Sequence, residues 1–203
     1  MHVLNKLLRI RINRKRQLQL QKREITLISS NCNGACILHD LGLKFHSPFV
    51  NLWIKPKDFL KLLGNLKHYM NAELVFIDEP GVSYPVGILD DVKIYFEHYK
   101  SREMAKQKWE IRAKRMDMDN IYVLFSDRDG CTYQDLCDFE ALPFKNKAVF
   151  THIPYPELTS AVYIPGWENE ESVGLCSEYV SRFSGKKHYD AFDYVTWFNA
   201  EKN

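Results

Sequence analysis

Long apolar runs are missing from this chain: nowhere in its 203 residues is there a stretch near the roughly 18 to 20 consecutive apolar residues that cross a bilayer. The first residues also lack the apolar core and small-residue cleavage site of a secretory signal, so a cytoplasmic location is expected. Cysteine is scarce, five residues at irregular spacing, which argues against a disulfide framework and for a reducing compartment. Cys36, Cys131, Cys137 and Cys176 read as free buried thiols. The spacing of Cys32 and Cys36 has no matched second pair, so no zinc site is expected. Internal repeats and low-complexity segments are absent too. What is there, 45% hydrophobic and 13% aromatic residues, can bury a sizeable core in one globular domain but would be cramped as two.

Charge is unevenly spread. Residues 1–24 hold eight Lys or Arg and one acid, Glu24, a head of +7; the remaining residues carry 20 bases against 25 acids, a body of −5. The head reads as a basic amphipathic segment whose modest apolar side is Val3, Leu7, Leu8, Ile10 and Ile12. It is either a solvated helix packed loosely on the domain or a segment that lies on an anionic membrane surface. No aromatic platform accompanies these charges, so a nucleic-acid partner is not expected.

Beyond the head, at residues 25–203, a single α/β domain is expected. Strands are predicted at 25–31, 49–54, 73–78, 120–127 and 147–153, with one or two more in 86–99. Helices are predicted at 34–42, 57–70, 102–116 and 132–141, and the tail from Ser172 reads as mostly helical. This alternation argues for a three-layer fold, a mainly parallel sheet flanked by helices behind the basic N-terminal helix. Such sheets bind ligands at the carboxyl ends of their strands, where Cys32 and Asp127 fall.

Three constellations carry candidate chemistry. The first is Asn31-Cys32-Asn33-Gly34, where a strand runs into a helix. Unpaired N–H groups and the helix dipole at that junction would favour an anion or a thiolate. Cys32 would then be the nucleophile, His39 or His46 its proton acceptor, and Asn31 or Asn33 with backbone N–H groups the oxyanion site; Ser47 completes the expected binding set. A small buried cysteine in a tight turn explains the same residues. The second is Ser126-Asp127-Arg128-Asp129-Gly130 after the apolar run IYVLF. Two carboxylates so spaced suit a divalent cation on a sugar diphosphate. A turn capped by Thr132 explains the same letters without any metal and is the plainer account. The third is His98-Tyr99-Lys100 ahead of a basic helix, where Tyr99 and Lys100 could hold a phosphate and His98 exchange a proton; a solvated, internally paired helix is the plainer account.

Several long blocks, ISSNCNGACILHDLGLKFHSPFVNLWI, YPVGILDDVKIYFEHYKS, WEIRAKR, FSDRDGCTYQDLCDFEALPFKNK and VFTHIPYPE, resemble the bacterial family called domain of unknown function 1919, often encoded among exopolysaccharide or capsule genes. The likeness runs from Thr26 to about Gly174 and leaves out the head and the last 30 residues. It implies a role in cell-surface polysaccharide assembly. The Asn-Cys junction is also similar to that of Cys-and-His polysaccharide acetyltransferases that use coenzyme A. The resulting expectation is an acyltransferase acting on an activated or lipid-linked sugar, with a coenzyme A thioester as donor. Two alternatives stand beside it: a metal-dependent glycosyl- or sugar-phosphate transferase built on Asp127 and Asp129, and a non-catalytic scaffold recruiting polysaccharide enzymes to the inner face of the membrane.

Overall fold

A computed structural model describes residues 2–200. Four short strands, β1 (Thr26–Ser29), β5 (Ile121–Ser126), β6 (Asn146–Thr151) and β7 (Ala161–Tyr163), form an all-parallel sheet in the order β1-β5-β6-β7. A second sheet of β2 (Leu74–Ile77), β3 (Val86–Leu89) and β4 (Val92–Tyr95) is antiparallel and lies in sequence between β1 and β5. The helices are α1 (His2–Gln19), α2 (Asn33–Asp40), α3 (Pro56–Gly64), α4 (Leu66–Asn71), α5 (Arg102–Ala113), α6 (Tyr133–Ala141) and α7 (Tyr194–Asn199). The expected α/β layering, with helices on both faces of a parallel sheet, is present.

The period of two along a strand separates the core into two halves. Leu27, Tyr122, Leu124, Ala148 and Phe150 face Ile37 and Leu38 of α2 and Phe198 of α7. Ile28, Val123, Phe125 and Val149 face the other way, onto Phe59 and Leu62 of α3 and Leu136 and Phe139 of α6. Leu74, Leu89, Val92 and Ile94 of the small sheet join this second half. Each such side chain, when fully buried, contributes roughly 1.5–3 kcal/mol.

Three expected elements come out differently. Residues 49–54 make a single antiparallel bridge, Trp53 with Tyr95, because Asn51 sits at φ 60 and breaks the extended backbone. The helix expected at 57–70 is two helices, interrupted at Asn65. The tail is mostly irregular up to a 3₁₀ turn at His188–Ala191; its backbone folds back on itself, with Val180 N–H donating to the Lys186 carbonyl at 2.9 Å across Gly185. The three residues of β7 carry too little pattern to be seen in sequence. Among the described residues no helix is long and apolar enough to cross a membrane.

The head is not loosely held. Its Arg9, 4% exposed, donates through Nη2 to Asp40 Oδ2 at 2.6 Å and through Nη1 to Asp190. Arg16 joins Asp190 and the Tyr194 hydroxyl, while Lys187 and the Tyr189 hydroxyl also donate to Asp40. The buried side of α1 is therefore a network of charges and hydroxyls that fastens the start of the chain to α2 and to the tail.

Candidate functional site

The carboxyl ends of β1, β5 and β6 lie side by side, so the segments after Ser29, Ser126 and Thr151 meet at one edge. Cys32 and Asp127 share that edge, as expected. After β1 the chain turns through Asn31, whose Oδ1 accepts from the Asn33 N–H at 3.1 Å and whose Nδ2 donates to Ser126 Oγ at 2.7 Å. Gly34 brings α2 against β1 so closely that a Cβ there would sit 2.7 Å from that of Ser29. Asn31 and Gly34 thus shape the junction, and the buried Asn33 hydrogen-bonds Cys176.

Cys32 occupies the N-cap of α2 with its sulfur directed at the Leu52 carbonyl, 3.9 Å away. The expected acidic thiol is not found: burial first, then Cys36 and Glu97, push it up to about 12 against the opposing pull of Arg128. Removal from water disfavours the thiolate more than the helix end favours it. His39 does not serve it, being on the last turn of α2, seven residues on and roughly 10 Å along the axis, with its side chain 83% exposed. His46 is half-buried with no hydrogen bond to Cys32, and Ser47 is buried with its hydroxyl donated to the Leu27 carbonyl. Iodoacetamide alkylation of Cys32, followed by peptide mass spectrometry, is expected to stay slow near neutral pH and to keep rising through the alkaline range. A rate that levels off near pH 7 would reveal an activated thiolate.

After β5, Asp127 is 5% exposed and fully engaged. Oδ1 accepts from the Val173 N–H at 2.8 Å; Oδ2 accepts from the His152 N–H at 2.8 Å and meets His152 Nδ1 at 2.5 Å. Arg128 donates to the Gly174 carbonyl at 3.2 Å, and the turn continues through Asp129 (φ 62) and Gly130 (φ 84) to the capping box of Thr132 and Asp135. With both oxygens of Asp127 in use, the geometry gives no support to a cation held between Asp127 and Asp129. Among the described residues no three His, Cys, Asp or Glu side chains are grouped to hold a metal ion. Burial raises the Asp129 carboxyl, Glu97 adding to the rise and Arg128 opposing it. Glu97 and Arg128 act on Cys32 as well, so these four groups form one charged neighbourhood at the sheet edge.

A matching family model, described as Domain of unknown function (DUF1919), covers residues 3–199. The chain belongs to the DUF1919 family. A Haemophilus influenzae protein described as "Uncharacterized protein" is 50% identical over 196 residues, 97% of this chain and 94% of that one. The DUF1919 match takes in the basic head and the tail, which the block-by-block resemblance had left outside. That agrees with the ionic network joining α1 to Asp190.

The third expected constellation does not converge on one site in the DUF1919 fold. Tyr99 is buried, donating to the Val50 carbonyl at 2.9 Å and accepting from Arg112 at 2.6 Å. His98 and Lys100 are exposed, Lys100 on the rim of a separate 400 Å³ cleft with Arg102 and Glu79. Several cations of α5 are already matched, Arg102 to Asp78 and Lys106 to Glu73. Sequence reasoning missed His152 and Glu97. The signal for His152 was its place right after the buried run KAVFT, the position that Asp127 holds after IYVLF.

Proposed function

We infer that this protein is an acyl-type transferase of cell-surface polysaccharide assembly, in which His152 takes the proton from a sugar hydroxyl. The observation that carries this reading is the buried Asp127 carboxylate on His152 Nδ1 at the carboxyl edge of a parallel sheet. A carboxylate there accepts a hydrogen bond from Nδ1–H, fixes the ring, and leaves Nε2 as the basic nitrogen. As the sugar oxygen attacks the carbonyl carbon of an activated acyl donor, its proton passes to Nε2. The same proton then leaves with the donor's departing group. The neutral Cys32 thiol takes no covalent part, and Arg128 supplies positive charge beside the reacting edge.

The polysaccharide context rests on the resemblance of the sequence blocks. A chromosomal His152→Gln substitution, compared with a full deletion, tests both parts. Loss of acyl groups from the surface polysaccharide in both strains is the expected result, read by NMR of the purified polymer. A polymer unchanged in the deletion strain would remove the polysaccharide assignment. One changed in the deletion but normal in His152→Gln would remove the role of His152.

A further inference from the structure

Helix α1 is mounted inside out. A helix on a globular domain ordinarily turns its apolar stripe inward, yet Asn5, Arg9, Asn13 and Arg16, spaced to share one side, anchor α1 to the body, and of its apolar residues only Leu8 and Ile12 are half-buried. Arg9 and Asn13 bond Asp40, Arg16 bonds Asp190, and Asn5 donates to the Ser181 carbonyl. The opposite stripe carries Val3 (69% exposed), Leu7 (56%), Ile10 (62%) and Leu18 (81%). Segment 180–185 packs against α1 on the side of Asn5 and Leu8: a Cβ on Gly185 would fall 2.5 Å from that of Leu8, and the Gly185 N–H donates to Asn5. Its Val180 and Phe183 are exposed as well, at 53% and 69%. The exposed cations of α1 and of residues 180–186 are Lys6, Arg11, Arg14, Lys15, Arg182 and Lys186, and neither segment contains an acid.

We propose that this face is a docking surface for an anionic lipid bilayer. The apolar side chains would enter the headgroup boundary while the ring of cations meets lipid phosphates. Charge complementarity selects this occupant. The body beyond the head has a formal charge of −5 and would be repelled by the same bilayer, whereas on α1 exposed cations border apolar side chains with no acid among them. The network around Arg9 holds α1 in the orientation that presents this stripe, so the surface exists before the membrane is met. It shares no residue with the Asp127–His152 pair and does not depend on the transferase reading.

The test is co-sedimentation of the full chain with vesicles of phosphatidylcholine alone or mixed with phosphatidylglycerol, at low and high salt. Wild type is expected to pellet with the anionic vesicles at low salt, and less at high salt as the Debye length shrinks from about 10 Å toward 3 Å. Val3→Ser/Leu7→Ser/Ile10→Ser alters only exposed positions and is expected to keep the wild-type circular dichroism and melting curve. Its partition should fall on the order of a hundred-fold. Lys6→Glu/Arg14→Glu should abolish the preference for phosphatidylglycerol. Wild type remaining in the supernatant, or the serine variant binding as well as wild type, would overturn the proposal. So would a wild-type dimer in solution, lost in the serine variant, with no vesicle binding by either protein: the face would then belong to a second copy of the chain.

Discussion

Arg9→Ala is expected to lower the melting temperature by roughly 6–20 °C, since breaking a buried ion pair costs about 3–5 kcal/mol and 1 kcal/mol is worth about 2–4 °C in a domain of this size. The cost is large because alanine would leave the buried carboxylates of Asp40 and Asp190 short of their shared cation. Acid should bring a smaller loss of the same kind to the intact protein. Burial alone would raise the Asp40 carboxyl, but the Tyr189 hydroxyl, Arg9 and Lys187 hold it at about 2, below its ordinary 3.8. A depressed carboxyl contributes stability that is complete above the unfolded value and lost as pH falls through the folded one. The window is therefore from about pH 4 down to about pH 2, with about 2 kcal/mol at stake. Circular dichroism melts at neutral pH and an acid titration of wild type and Arg9→Ala check both statements. A variant with unchanged melting temperature and acid midpoint would show that α1 is held by something else.

Asp127→Asn is expected to cut transfer nearly as far as loss of His152 itself, roughly 100- to 10,000-fold. An amide can present its NH₂ group to His152 Nδ1, which reverses the donor and acceptor roles and leaves Nε2 protonated in the neutral ring. Its oxygen can still accept from the Val173 N–H, while the His152 N–H, which shares the replaced oxygen, loses its acceptor; the fold should survive with a loss of about 1–3 kcal/mol. Asp127→Ala is the harsher change. It would strand the Val173 and His152 N–H groups, each at about 1–3 kcal/mol, and is expected to destabilise as well as inactivate. Acyl content of the surface polysaccharide, measured beside the melting temperature, separates these effects. If Asp127→Asn keeps full activity, the pairing with His152 is structural and the general-base role fails.

Tyr122-Val123-Leu124-Phe125 shows how much of the scaffold is legible in one dimension. Alternate residues of this strand face opposite halves of the core, and an unbroken apolar run is what a strand covered on both faces needs. Helix α6 is equally local, because its capping box is closed by Thr132 and Asp135 three residues apart. The shared edge of Cys32 and Asp127 follows from the same alternation, since parallel strands point their carboxyl ends together. Residues 49–54 mark where this ends: they are apolar enough for a strand, but a left-handed Asn51 decides otherwise.

The sequence by itself determined the layered α/β scaffold, the helical head and the edge at which chemistry can be placed, because these depend on periodicity and on contacts between near neighbours. Only the tertiary structure decided which groups at that edge are active and which side of α1 is buried. Asp127 meets His152 across 25 residues of chain, and Arg9 meets Asp40 and Asp190 across 31 and 181. The surroundings of Cys32 likewise come from elements remote in sequence: the Leu52 carbonyl faces its sulfur, and the charge of Glu97 adds to the rise that burial causes. Buried charges take whatever partners the assembled layers bring to them, and in α1 that requirement outweighs the ordinary tendency of an apolar stripe to turn inward.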